Sequence, residues 1–425
     1  MDHDRLPPPE LARHILDRMG SVGQPPERGA LFVNVATEEI LDTLRDEYLR
    51  PIKRSGRNST FKLVQAPFGG GKSQFLHCLR ELAWQEGFCT ALVGLSPKEC
   101  PFDQPGSIYR EVARRIELPV DDFDVTPNPG LDRMLRQLAE ARISEVGAAA
   151  FGEWVRGEFQ RANIESRSYQ RAIALFLQAV GDGDEDLLQL VGDYLLGEEL
   201  PSSELAPLQL REAFSDAIGF RWLRSLAQAL VALRLPGIVL MFDEMDRNMS
   251  LSVKRRRAMG DNLRQMIDYC GQSMLPGVVW CYAVPPEFMD TIVPEYPALA
   301  QRLKGPIEFS ALSPNQPLID LDHLPLPTEE LLSAIGGRLI ELTERAYGVT
   351  LQHGLQSSNL GLLARELASR QFESGTRRTF VKAAVSHLET QRRGGEHSLT
   401  ERDVQQLAGA HTEATFTPLL GEVEF

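Results

Sequence analysis

The sequence predicts an α/β fold: a parallel sheet carrying a helical insertion, followed by an all-helical C-terminal segment. Three observations lead there. The run Phe61-Lys-Leu-Val-Gln65 enters Ala66-Pro-Phe-Gly-Gly-Gly-Lys-Ser73, and an amphipathic stretch follows, which is a strand, a loop and a helix. Residues 238–242 are apolar throughout, as a parallel strand covered on both faces must be, and they end in Asp243 and Glu244. Beyond residue 329 the apolar spacing is helical as far as 409.

In order, residues 1–60 form an N-terminal helical extension, with helical spacing over 11–19 and 38–49 and a Pro/Gly-rich break over 20–28. Residues 50–58 read as a short basic turn. The core spans 61–325. Its first helix covers 74–85, with Phe75, Leu76, Leu79 and Leu82 on one face and Gly87 as the stop. A second strand covers 88–95, and Ser96-Pro97 breaks it before a helix over 108–116. Helical spacing over 131–149, 169–180, 187–196 and 222–233 separates the glycine-rich loop from Asp243 by more chain than such a core needs, so about 120–215 is read as an insertion. The acidic stretch 182–199 within it reads as a solvated face. A helix over 253–269, strands over 278–284 and 318–322, and a short helix over 296–304 complete the core. Helices over 329–347, 360–370, 379–389 and 401–409 make a C-terminal unit of 326–411, with 412–425 as a tail.

Composition bounds the possible partners. A net charge of −14 leaves no overall basic footprint for nucleic acid, so any contact with DNA is confined to local basic patches. The helix over 253–269 carries one such run, Lys254-Arg-Arg-Arg257. The five cysteines never stand as C-x-x-C, and an odd count suits a reducing compartment. Nothing approaches the length of a membrane span, and Met1-Asp-His-Asp4 lacks a signal-peptide pattern. The expectation is a cytoplasmic protein with no membrane partner.

The loop carries chemistry. Backbone N–H groups around side-chain-less residues can point inward at an anion, and the N-terminus of the next helix adds partial positive charge. Lys72 reaches terminal phosphates, and the Ser73 hydroxyl suits a magnesium ion that bridges them. At the carboxyl edge of the sheet, Asp243 can hold that metal through water, and Glu244 can orient or deprotonate an attacking water.

Four segments give these features a family likeness: Phe68-Gly-Gly-Gly-Lys-Ser-Gln-Phe-Leu76; Leu95-Ser-Pro-Lys-Glu-Cys-Pro101 with Ile108-Tyr-Arg110; Val239-Leu-Met-Phe-Asp-Glu-Met-Asp246; and Leu299-Ala-Gln-Arg-Leu303. The chain resembles AAA+-type P-loop ATPases, in the broad group that includes archaeal origin-recognition ATPases. More narrowly it resembles the ATP-binding proteins of bacteriophage-exclusion (BREX) loci, over about residues 60–390. The resemblance implies an AAA+/ASCE-like P-loop NTPase fold in which the C-terminal helices form a lid, with ATP and Mg2+ as cofactors. It implies nucleotide contacts from Phe68, Gly69, Gly70, Gly71, Lys72, Ser73 and Gln74, metal contacts from Ser73 and Asp243, and catalysis by Glu244. Arg302 stands where such ATPases keep an arginine finger for a neighbouring subunit, and Gly375-Thr-Arg-Arg378 resembles a second sensor, reaching the nucleotide through Arg377 or Arg378. The function implied is an ATP-hydrolysing switch or motor of a prokaryotic anti-phage system, partnered by itself, by proteins of its locus or by DNA. The alternatives are a DNA-associated loader or transposition regulator, and a nucleotide-binding scaffold with little turnover.

Two departures qualify the likeness. Ala66 stands at the first loop glycine, and the strand over 278–284 has no Asn or Thr for a first sensor. Tyr282 is there instead, as a sensor or as a packed core residue. Hydrolysis is therefore expected to be slow or partner-dependent. Glu244→Gln keeps size and hydrogen bonding while removing the base. It should bind ATP and lower kcat by roughly 10²–10⁴; wild-type turnover in that variant would move the water-activating role to another residue.

Overall fold

The phosphate-loop strand β1 (Thr60–Gln65) and the acidic strand β4 (Ile238–Asp243) do not pair directly. Between them lies β5 (Val278–Val284), and the six-stranded sheet runs β3-β2-β4-β5-β1-β6, with β2 at Cys89–Gly94, β3 at Ile116–Glu117 and β6 at Leu318–Asp320. All neighbours are parallel except β3, which pairs antiparallel with β2. Gln65 is in register with Val284, and Phe242 with Tyr282, so both motifs leave the sheet at one edge. The computed structural model describes residues 6–56, 58–120, 128–243, 252–303, 308–370 and 375–416, without the side chains of 412–416.

Successive side chains of each strand go to opposite faces. Phe61, Leu63, Leu240, Phe242, Trp280 and Tyr282 face a large cluster built with helices α5 (Pro105–Arg115), α11 (Gly219–Ala232) and α12 (Val253–Gly271). The helices between β3 and α11 extend that same cluster: α6 (Leu131–Val146), α7 (Ala148–Trp154), α8 (Arg167–Asp182), α9 (Glu185–Leu195) and the short α10 (Ser202–Leu205). Trp222 of α11 is its hub. It is fully buried, its ring centroid lies 5.0–5.3 Å from those of Tyr109, Tyr169, Tyr194 and Phe214, and its indole N–H donates to Glu212 at 3.4 Å. The other sheet face packs Val64, Val239, Met241 and Cys281 on α2 (Glu38–Leu44), α3 (Arg50–Ser55) and α4 (Lys72–Gln85).

A further cluster gathers α14 (Thr328–Tyr347), α15 (His353–Ser369), α16 (Thr376–Gly394) and α17 (Glu401–Phe416). The N-terminal helix α1 (Pro9–Val22) joins it, burying Leu11, Ile15 and Leu16 among these helices. Arg13 donates to Ala346 O at 2.8 Å, and Arg345 donates to Pro7 O at 2.8 Å. The short α13 (Pro297–Leu303) leans on α12.

Three local expectations differ from what forms. Residues 50–55, read as part of a turn, are the helix α3, joined to α2 by a π-helical turn over Arg45–Leu49. Ile52 is buried, Lys53 and Arg54 complement the carboxyl end of the helix, and Gly56 closes it at φ 62°. The helix expected over 131–149 breaks at Gly147, whose φ of 84° no helical residue adopts. Ile116, expected at a helix end, begins the edge strand β3.

Trp222→Ala should cost about 3–5 kcal/mol, the usual range for emptying an aromatic site in a core, and lower Tm accordingly. Leu312→Ala, at a residue 95% exposed, should change stability by less than about 0.5 kcal/mol. Calorimetry on the two variants checks the contrast.

Candidate functional site

The loop between β1 and α4 is shaped by three consecutive glycines. Gly69 and Gly71 have φ of 75° and 97°, which side chains with a Cβ avoid, and Gly70 N–H closes a turn on Pro67 O at 3.0 Å. A Cβ on Gly69 would lie 2.6 Å from Gly375 Cα, and one on Gly71 would lie 2.7 Å from an Arg377 nitrogen. Close approach of the C-terminal helices therefore needs glycine at position 69, where the neighbour is backbone, whereas at Gly71 the φ of 97° sets the requirement, since the Arg377 guanidinium can shift. The chain then enters α4 at Lys72, whose side chain is 6% exposed and donates to Ala66 O at 2.8 Å and Pro67 O at 3.2 Å. Ser73 Oγ donates to Asp243 Oδ2 at 2.5 Å, joining the two motifs across 170 positions.

Arg377, at the start of α16, donates to Gly70 O and, at 3.4 Å, to Leu321 O. Burial lowers its pKa, and Asp322 opposes that effect. The Arg378 guanidinium lies 5.4 Å from the centre of the Phe68 ring. Gln74 turns its amide to Ala30 O at 2.8 Å and Cys78 Sγ at 3.3 Å. Phe68, Gly69, Gly71, Lys72, Ser73, Gln74, Asp243, Arg377 and Arg378 line one cleft; Gly70 contributes the carbonyl that Arg377 bonds. Glu244 lies outside the described residues.

The opposite wall was not foreseen. Met19 of α1, and Gly23, Gln24, Pro25, Val33, Asn34, Val35 and Thr37 from the stretch that joins α1 to α2, line the cleft. The carboxylate of Glu81, on α4, fixes this stretch by accepting the backbone N–H groups of Ala30 at 2.9 Å and Leu31 at 3.1 Å. Burial raises the Glu81 pKa, and those two amides pull it back down. Arg28 stacks over Trp84, its guanidinium carbon 4.1 Å from the ring centre, and pairs with Glu117 at 3.5 Å. Arg80 stacks on the same indole at 5.0 Å and donates to Glu27 O. The sequence signal was weak: Glu81 stands with Arg80 between Leu79 and Leu82 of the apolar face of α4.

Arg302 does not line this cleft. On α13 it makes a two-pronged pair with Asp268 of α12 at 2.6 and 3.1 Å, and it donates to Ala298 O at 2.6 Å. Tyr282 is a packed core residue, fully buried with its ring centroid 4.9 Å from that of Phe102.

A phosphate loop and an acidic strand end that meet at one sheet edge, under a helical cluster that reaches the loop through an arginine, mark the chain as a P-loop NTPase of the AAA+ type. Over residues 8–402 the sequence matches the family described as "BREX system ATP-binding protein BrxC/D", and the chain belongs to that family. No curated protein matches it. It is similar to the solved structure of the Aeropyrum pernix ORC2 protein in ADPNP–ADP complexes, at 12% identity and a TM-score of 0.42, over 86% of this chain and 68% of that one. No helix among the described residues is long and apolar enough to cross a membrane.

Lys72→Ala should abolish ATP binding with the fold intact, because it removes the buried ammonium at the loop. Titration with a fluorescent ATP analogue reads this directly, and a wild-type binding curve would detach Lys72 from the phosphates.

Proposed function

We propose that this protein binds ATP with Mg2+ in the cleft and hydrolyses it, as an ATP-driven switch or motor of a BREX-type anti-phage defence system. The Ser73–Asp243 contact carries this reading. It sets a hydroxyl and a carboxylate 2.5 Å apart beside a phosphate loop. Two hard oxygen donors fit a Mg2+ ion, which takes one or two protein oxygens and keeps several waters. Ser73 and Asp243 would hold that ion, which when bound neutralises charge on the phosphates. Loop N–H groups and Lys72 bind the phosphate oxygens, and Lys72 exchanges its hold on the Ala66 and Pro67 carbonyls for them. Glu244 follows Asp243 directly in the chain and takes the proton of the attacking water. Arg377 and Arg378 bring positive charge from the C-terminal helices onto the bound nucleotide.

Arg302 has no place at its own cleft, so we assign it to the cleft of a neighbouring copy in a homo-oligomer. Asp268 holds the Nε–Nη2 edge of its guanidinium through two hydrogen bonds, which orients the group at low entropic cost. DNA and other proteins of the locus are the remaining partners in this reading. On α12, Lys254 and Arg257 are exposed, whereas Arg255 is engaged by Asp103 at 2.8 and 2.9 Å.

Arg302→Ala should bind ATP nearly normally and lose turnover by a factor on the order of 10³. Mixing it with Glu244→Gln should restore part of the activity, since a mixed interface unites an intact Glu244 with a neighbour's intact Arg302. An arginine acting within its own subunit gives no rescue. Near-normal turnover of the single variant would reduce Arg302 to the partner of Asp268.

A further inference from the structure

The lining of the cleft is of two chemical kinds. Gly71, Lys72, Ser73 and Asp243 are polar. Met19, Val33, Ile335 and Val381, which share one hydrophobic cluster, are joined in the lining by Val35 and Leu331 and make an apolar surface suited to the faces of a nucleobase. The wall from the N-terminal stretch carries three polar side chains, Gln24, Asn34 and Thr37. Gln24 is exposed. Asn34 is only 7% exposed, and its carboxamide is held in one orientation.

Thr37 Oγ1 donates to Asn34 Oδ1 at 2.6 Å, and Cys78 Sγ lies 3.8 Å from the same oxygen. The Asn34 backbone N–H is closed on Leu31 O at 3.3 Å. Between Asn34 and Thr37 the chain passes through Ala36 at φ 68°, a left-handed conformation that a residue with a Cβ avoids. Strain of that kind persists where the surroundings over-determine the backbone. Here it fixes the turn that lets Thr37 reach back to Asn34. The acceptor end of the amide thus faces the protein. Among the described residues no hydrogen bond reaches Nδ2, yet Nδ2 does not count among the buried polar atoms without a partner, so it keeps contact with solvent. Asn34 lines the cleft, so Nδ2 is the amide group it has left to offer a ligand there.

We propose that Asn34 selects the base, its Nδ2–H donating to N1 of adenine. This rests on the reading of the cleft as an ATP site. N3 and N7 accept hydrogen bonds in adenine and guanine alike, and at position 6 a donor would favour the O6 of guanine over the amino group of adenine, so a single donor favours adenine only at N1. There adenine offers a lone pair, whereas guanine and hypoxanthine carry a proton. A purine with N1–H would press a donor against a donor and leave Asn34 unpaired in a largely buried slot. Thr37 and Ala36 are positioning residues for this amide and need not touch the base.

The experiment is competition of ATP, ITP, 1-deaza-ATP and 7-deaza-ATP against a fluorescent ATP analogue, on the full chain and on Asn34→Asp. The wild type should hold ATP about tenfold or more tighter than ITP and 1-deaza-ATP, and it should hold 7-deaza-ATP as tightly as ATP. Asn34→Asp keeps the oxygen that Thr37 needs and puts an acceptor where the donor was, so the preference for ATP over ITP should vanish or invert. Equal wild-type affinity for ATP and 1-deaza-ATP overturns the proposal, and so does an unchanged ATP-to-ITP ratio in the variant, which a purely structural Asn34 would give. The deaza comparison needs no substitution, so a misfolded variant leaves the test intact. A wild-type chain that binds none of the four overturns the ATP site itself, an outcome distinct from one that binds all four alike.

Discussion

Everything at the cleft depends on one constraint: β1, β5 and β4 must stay parallel and in register. Only then do Ser73 and Asp243, separated by 170 positions, come within 2.5 Å. A one-residue slip in either pairing would turn the inward side chains of a strand outward. It would also move the end of that strand by about 3.3 Å, more than the contact itself. The register is enforced by burial. Every residue of β5 is buried, as is every residue of β4 except Asp243, so a slip exposes large apolar side chains such as Trp280 and Phe242. Asp243 escapes because it is the last residue of its strand, which is where the ligand edge begins.

The strands that build this edge were legible because their signal is local. A run of apolar residues ending in Asp243 states both that the strand is buried and where it stops. The phosphate loop was legible for the same reason, since its glycines, lysine and serine are consecutive. Features assembled from distant parts of the chain were not. Lys62, a charged residue in the middle of β1, donates to Tyr48 Oη at 2.9 Å, Pro314 O at 2.7 Å and Gln316 O at 2.8 Å. Burial pushes its pKa down to about 7, and no pattern around residue 62 names those partners. The wall formed by residues 33–37 was missed likewise, because its shape comes from Glu81 on a later helix. Periodicity also misread residues 50–55, where Pro51 and three basic residues outweighed the single buried Ile52. The shared core of α1 with α14–α17 left no trace in either segment alone, since each shows an apolar face without naming what covers it.

The stretch between α1 and α2 connects two bodies of packing. Its upstream helix belongs to the C-terminal helical cluster, whereas its own backbone is fastened to α4 by Glu81, Gln74 and Arg80. The cleft therefore has walls from the sheet, from this stretch and from the C-terminal helices at once. Arg377 adds a direct tie from α16 to the loop. Whatever lies in the cleft touches all three, so a change there bears on how the helical cluster sits over the sheet.

The position of α1 also bears on how the chain is made. Arg13 finds its acceptor in Ala346, 333 residues further along. At about 5–20 residues per second of synthesis, α1 waits roughly 17–67 s before α14 has left the ribosome. During that interval Leu11, Ile15, Leu16 and Met19 have only the nearby Phe32 and Val33, and none of the C-terminal helices, to cover them. The sheet and its flanking helices can fold meanwhile, but the upper part of the cleft cannot. Loop-closure entropy is spent late on that contact, so α1 and the C-terminal helices complete their shared core after the sheet.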